Sequence, residues 1–148
     1  MSEVPLPDTE WPLTRPFFAA AARGELAIPR CAGCRAWVWY PREECPRCGG
    51  SELPWTRVSG RGTLFSWAVV RRALWKPFAD KVPYATGLVA LEEDAAVRLV
   101  TTLVDCEPEE LRVDMPVRAV FRPLAFRGAR RQVVVPMFAP VPPALPGR

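Results

Sequence analysis

The sequence predicts a mainly β chain in which one short N-terminal helix leads into a four-cysteine metal ribbon and then a barrel of five strands. Three observations carry that expectation. Two Cys-x-x-Cys pairs, Cys31/Cys34 and Cys45/Cys48, lie ten residues apart. The apolar pattern before them is helical, and from residue 63 onward it is that of strands. The strand-like runs number five, with a short helical segment between the third and fourth.

Taken in order, the elements justify themselves locally. In "LTRPFFAAAARGELAIPRC" Thr14 is placed to cap a helix. Pro16 falls in its first turn, where a missing N–H costs little, and Gly24 suits the position after its last turn. Phe17, Phe18, Ala21 and Ala22 form a packing stripe, and "ELAIPRC" reads as an extended lead-in. Each cysteine pair forms a tight turn, with Gly33 inside the first, Pro46 stiffening the second and Gly49 just after it. The spacer "RAWVWYPREE" has the length of a short β-hairpin that would bring the pairs together. "SELPWTRVSGRG" is a connector. Strands follow at 63–72, 84–93 and 96–105, then a helical turn at 107–113, then strands at 116–124 and 131–138. Gly87 inside the second of these suits a bulge or bend. This order is that of an OB-fold barrel, with an SH3-like barrel the competitor on strand count. The expected organisation is an arm and helix over 1–25, a rubredoxin-like zinc ribbon over 26–56, the OB-fold over 57–140 and a proline-rich tail over 141–148.

Four thiolates suit Zn²⁺, which is soft enough for sulfur and tolerant of a tetrahedron. A rubredoxin-type iron site is the rival, and an iron–sulfur cluster a more distant one. Cys31, Cys34, Cys45 and Cys48 leave no open coordination position, so the metal is expected to be structural. Cys106 has no pair and no histidine to activate it, and reads as a buried structural thiol.

Composition narrows the function. The 148 residues, 49% hydrophobic and 24% charged, fit one soluble domain or two small ones. There is no histidine, which removes Ser-His-Asp triads, Cys-His dyads and imidazole acid–base chemistry. No carboxylate pair stands out either, and Glu92, Glu93 and Asp94 read as a solvated turn. The 18 prolines are an excess, and eight of them cluster toward the two ends, Pro5, Pro7 and Pro12 and then Pro136, Pro140, Pro142, Pro143 and Pro146. Such ends are extended, either disordered or docked on a partner. The opening "MSEVPLPDTEWPL" lacks a secretory pattern, and no apolar run approaches the ~20 residues that span a membrane. A cytoplasmic, reducing setting is expected, where paired cysteines hold metal more often than disulfides.

The net charge of +4 and pI near 9.0 hint weakly at an anionic partner. Arg71, Arg72 and Lys76 beside Trp67 and Trp75, or Arg127, Arg130 and Arg131, could hold phosphates. Six tryptophans exceed what two small cores absorb, so some should be interface anchors. Trp75 and Phe78 in loop 73–83 are the least core-like, followed by Trp37 and Trp39.

Jointly, "FFAAAARGELAIPRC", "CAGC", "CPRCGG", "WTRVSGRGTLFSW", "PYATGLVALEE", "VDCEPEELRVDMPVRAVF" and "VPMFAPV" carry a resemblance over about residues 14–140. The chain resembles a bacterial and archaeal family of zinc-ribbon plus OB-fold proteins, long catalogued as a domain of unknown function and associated with acyl-CoA. The resemblance implies an accessory subunit that pairs with thiolase-like enzymes (thiolases, retro-aldolases or C-acyltransferases) or with hot-dog-fold hydratases. It also implies a scaffold that in some members helps build a CoA channel. Only the four cysteines carry over residue by residue. The chain departs from the family at "VDMPV", where Asp114 replaces a glycine; aspartate tolerates a left-handed turn. Loop 73–83 is peculiar to this sequence. The alternative class is a single-stranded nucleic-acid binder, since OB-folds use aromatic platforms and basic grooves for that purpose. A third reading has the same arginines gripping the phosphates of CoA.

Overall fold

Pro16 and Gly24 bracket a helix, α1 (Arg15–Ala22), in the computed structural model, which describes residues 4–142. Pro143 and Pro146 of the expected C-terminal arm lie outside them. Gly24, at φ +74°, donates to the Ala21 carbonyl, and Glu25 donates to Ala20, closing the helix with paired bonds (both 2.9 Å). Thr14 does not cap through its side chain. The donors it would have served are already engaged or missing: Phe17 N–H donates to the Thr14 main-chain carbonyl at 2.9 Å, and Pro16 has none.

Strand β1 (Ala27–Pro29) pairs antiparallel with β2 (Trp55–Arg57), in register Ala27↔Arg57 and Pro29↔Trp55. The stretch expected to be a mere connector therefore contains a strand, too short at three residues to show alternation. The pairing continues outward, Arg30 N–H to the Pro54 carbonyl and Ala32 N–H to Glu52 (both 3.0 Å). It is this pair of incoming and outgoing segments that brings the cysteine turns together. The expected hairpin within 35–44 does not form. Its one bridge is Arg30↔Trp37, and Pro41 interrupts any further donor series.

Strands β3 (Arg61–Val70), β4 (Tyr84–Leu91), β5 (Arg98–Leu103), β6 (Pro116–Pro123) and β7 (Val134–Pro140) close a barrel in the order β3-β4-β5-β7-β6. β6 returns to β3 through Arg61↔Arg118 and Thr63↔Pro116. β5 meets β7 in parallel, and only at Leu103↔Phe138. That closure is the OB-fold's and not that of an SH3-like barrel. A single 3-10 turn, Pro108–Glu110, leads into β6, shorter than the helical segment expected.

Gly87 is not the bulge. The register slips on β3, between Leu64 and Ser66. At Gly87 the constraint is volume: a Cβ there would stand 3.0 Å from Leu103 Cδ1 and 3.1 Å from Leu64 Cδ1. One core runs through both parts. Leu26, Ile28 and Val58 from the ribbon side join Leu64, Val89, Val117 and Phe138 of the barrel. Burying each large side chain in it is worth about 1.5–3 kcal/mol. Trp37, Trp39 and Trp67 pack half-buried against that core. Among the described residues, no helix is long and apolar enough to cross a membrane.

Candidate metal centre and surrounding surfaces

The two cysteine turns are built alike. In the first, Cys31 N–H donates to the Ala36 carbonyl (2.8 Å), and Arg35 N–H returns to Cys31 (2.9 Å). In the second, Cys45 N–H donates to Gly50 (2.7 Å), and Gly49 N–H returns to Cys45 (2.8 Å). The residue after each second cysteine is left-handed, Arg35 at φ 66° and Gly49 at φ 77°. The glycine of the second turn was legible; an arginine in the matching place was not. Gly50 keeps the sulfurs uncrowded, since a Cβ there would lie 3.3 Å from Cys48 Sγ, whereas one on Gly33 would meet them at an ordinary 3.7 Å.

The four Sγ atoms lie within 4.8 Å of one another. Cys31 and Cys48 sulfurs are 3.5 Å apart, and Cys34 and Cys45 3.6 Å. A tetrahedron with metal–sulfur bonds of ~2.3 Å has edges of about 3.8 Å, so the donor set fits such an ion. The sulfurs also feel main-chain donors. The Cys34 N–H lowers the Cys31 thiol, and the Cys48 and Arg47 N–H groups bring Cys45 down to about 7. At Cys48 the Gly50 N–H pulls downward, but the Cys31 and Cys34 sulfurs outweigh it and push the thiol up to about 11. Four thiolates so close cannot all ionise without a cation among them. The cluster could hold a metal ion, and its four sulfurs would then take every position of a tetrahedron. Cys106 is half-buried and not buried as the sequence suggested; partial burial and the charges of Glu110 and Asp105 push its thiol up, which favours the protonated form.

The other residues singled out in the sequence fall into two places. Trp37 and Trp39 lie where the ribbon meets the barrel, with the Arg30 guanidinium 4.7 Å over Trp37 and the Phe17 ring 5.4 Å from Trp39. Arg71, Arg72, Trp75, Lys76 and Phe78 share the loop after β3. Leu74 and Trp75 are exposed at its tip, 97% and 45%. Phe78 turns inward against Tyr84 and Phe126, and Arg71 sits 3.8 Å from Glu109.

The loop 71–83 and the loop 124–133 clasp each other. Phe78 meets Phe126 edge-on at 5.2 Å, Lys81 donates to the Ala125 carbonyl, and Arg127 pairs with Asp80 at 3.7 Å. In OB-folds these two loops and the outer face of the second and third strands take oligonucleotides. Here that face presents Leu88, Arg98, Val100 and Thr102, with Arg98 stacked on Phe65 at 3.8 Å. Several further arginines are engaged internally. Arg122 grips Asp105 with two bonds of 2.8 and 2.6 Å, and Arg61 pairs with Glu92. The acidic turn thus holds the start of the barrel: Glu93 also accepts the Ser59 N–H at 2.6 Å.

One feature escaped the sequence. An apolar groove of ≈ 580 Å³ opens between α1, the segment before it, and the seam of β5 with β7. Phe17, Trp39, Tyr40, Val100 and Met137 line it. Its cause lies in β7. In the parallel ladder Pro136 would have to donate to the Val100 carbonyl, and it has no N–H, so the pairing stops at Leu103↔Phe138. The Thr101 hydroxyl bridges to the Pro136 carbonyl instead, at 3.4 Å.

Comparison with known proteins gives concordant matches for both halves. Residues 18–54 match the profile described as "ChsH2, rubredoxin-like zinc ribbon domain", and 55–122 match "ChsH2, C-terminal OB-fold domain". A "DUF35 domain-containing scaffold protein" of Methanocaldococcus jannaschii is 37% identical over 94 residues, 63% of this chain and 64% of that one. A "Probable enoyl-CoA hydratase alpha subunit" of Thermomonospora curvata is 32% identical over 127 residues, 86% of this chain but 37% of its own length. The chain thus spans less than two thirds of either curated relative. Among solved structures, a chain of the "Ltp2-ChsH2(DUF35) aldolase" superposes with a TM-score of 0.78 at 30% identity, covering 91% of this chain and 98% of that one.

Proposed function

The chain belongs to the DUF35 family of zinc-ribbon and OB-fold scaffold proteins, and from that premise we propose that it is the non-catalytic subunit of an acyl-CoA-handling complex. Its partner in this reading is a thiolase-like enzyme, and the ion in the cysteine cage is Zn²⁺. The observation that carries the reading is the near-complete superposition on a DUF35 chain of an aldolase structure. Chemistry internal to the chain agrees. The metal cage is closed, so the ion would supply rigidity and not a Lewis-acid position. The sequence contains no histidine, and its lone extra thiol is protonated.

Cys31, Cys34, Cys45 and Cys48 would hold the zinc, and Trp75 with Leu74 offers an apolar contact at the barrel's loop end. The rival reading, single-stranded nucleic-acid binding, needs an open cleft between loops that here hold each other, and a basic strand face that here carries one arginine, Arg98, already stacked on Phe65. Co-expression with a thiolase-fold enzyme of the same genome, followed by size exclusion, tests the proposal. Co-elution at a fixed ratio is expected. A chain that stays monomeric beside each such enzyme, yet binds single-stranded DNA at micromolar concentration with a steep salt dependence, would overturn it.

A further inference from the structure

We propose that the segment before α1, residues 4–13, is a strap across the barrel seam whose polar latch is Arg131, and that releasing the latch opens the apolar groove without unfolding the barrel. Arg131 stands in the loop between β6 and β7, more than 120 residues along the chain from what it holds. Its Nη2 donates to the Pro7 carbonyl at 2.6 Å, and its Nη1 to the Thr9 hydroxyl at 3.1 Å. Among the described residues, these are the hydrogen bonds that tie positions 4–10 to the rest of the fold; the segment's others are local, such as Glu10 N–H to Asp8 Oδ1 (2.9 Å).

The segment is suited to be a strap. Pro5, Pro7 and Pro12 keep it extended and deprive it of donors, so it pairs with no strand and is held by Arg131 and by the half-burial of Val4, Pro5, Leu6 and Pro7. Pro7, Asp8 and Trp11 form one wall of the groove, and the opposite wall is the seam that Pro136 leaves unpaired. Val100 projects there, 78% exposed, and its main-chain N–H and C=O point away from β4, because the paired positions alternate from the Leu91 N–H to Val97 carbonyl bond. Swinging the strap aside would widen access to Leu99, Thr101 and Met137 and to that bare strand edge. The acceptors on the strap are neutral, so the latch should be nearly indifferent to salt, unlike the exposed ion pairs Arg61–Glu92 and Arg127–Asp80.

The test is backbone ¹⁵N relaxation on the full chain, wild type against Arg131→Ala and Thr9→Val. In the wild type, order parameters for Leu6, Asp8, Thr9 and Glu10 are expected near the rigid value of about 0.85. In Arg131→Ala they should fall below about 0.6, with shift changes at Val100 and Met137, while amides of β4 and β6 keep their positions. Thr9→Val, which removes one of the two bonds and lies outside the barrel, should give an intermediate fall. Raising salt should leave all three profiles unchanged. Order parameters at 6–10 that stay rigid in both variants would overturn the latch. So would mobility in Arg131→Ala accompanied by loss of the barrel signals while Thr9→Val remains rigid.

Discussion

Arg35 and Gly49 do the same job in the two cysteine turns, and only one of them is made for it. A side chain with a Cβ held left-handed costs about 1–2 kcal/mol. Gly49→Ala is therefore expected to weaken metal binding about tenfold, and Arg35→Gly to leave it equal or tighter, as read by competition with a chromogenic chelator. Asp105, also left-handed, is a second case in which one residue decides something measurable. The Arg122 guanidinium holds its carboxyl below the ordinary value of 3.8. A depressed carboxylate stabilises the fold above its unfolded pKa, and that contribution fades as pH falls through the folded one. The difference in melting temperature between wild type and Asp105→Asn should be full at neutral pH and shrink as the pH is taken below 3.8; a difference that did not shrink would contradict the pairing. At this scale the sequence was legible where chemistry is repeated, as in the four cysteines. It offered Arg131 as a phosphate contact and could not show Thr9 and Pro7 as its partners, because they stand more than 120 residues away.

Among the elements, the five barrel strands could be read from their periodicity and β1 as an extended lead-in, but β2 and its pairing with β1 could not. Three residues show no alternation to read. The cysteine spacer was misread because its length allows a hairpin, whereas the strand pair outside it already does the work of bringing the turns together. Gly87 was correctly singled out for the wrong cause, since packing and not a bulge demands it. Gly62 is the stricter position. A Cβ there would run into the Ala90 carbonyl and lie 2.8 Å from Val89 Cγ1. Gly62→Ala should cost about 1–3 kcal/mol through overpacking, and Phe138→Ala about 3–5 kcal/mol through the cavity left at the barrel's centre. Urea denaturation reads both, and a Gly62→Ala protein as stable as the wild type would refute the packing at that edge.

For the whole molecule, the ribbon and barrel share a core through Leu26, Ile28 and Val58, but the cysteine turns have their own small cluster around Val38. Metal removal should therefore act in part. Hydrogen exchange after chelation is expected to show lost protection over 31–50 with the five barrel strands still protected. A barrel that melts together with the turns would show the two to be one cooperative unit. The sequence could announce a rigid, closed metal cage beside a barrel; it could not announce the groove, which depends on where β7 falls against β5. The most direct measurement is native mass spectrometry of the chain co-expressed with a thiolase-fold enzyme of its own cell. A single spectrum showing one zinc ion per chain, within a stoichiometric complex, is the expected result. A folded, metal-free monomer beside that enzyme, or a lone chain that turns over an acyl thioester, would contradict it.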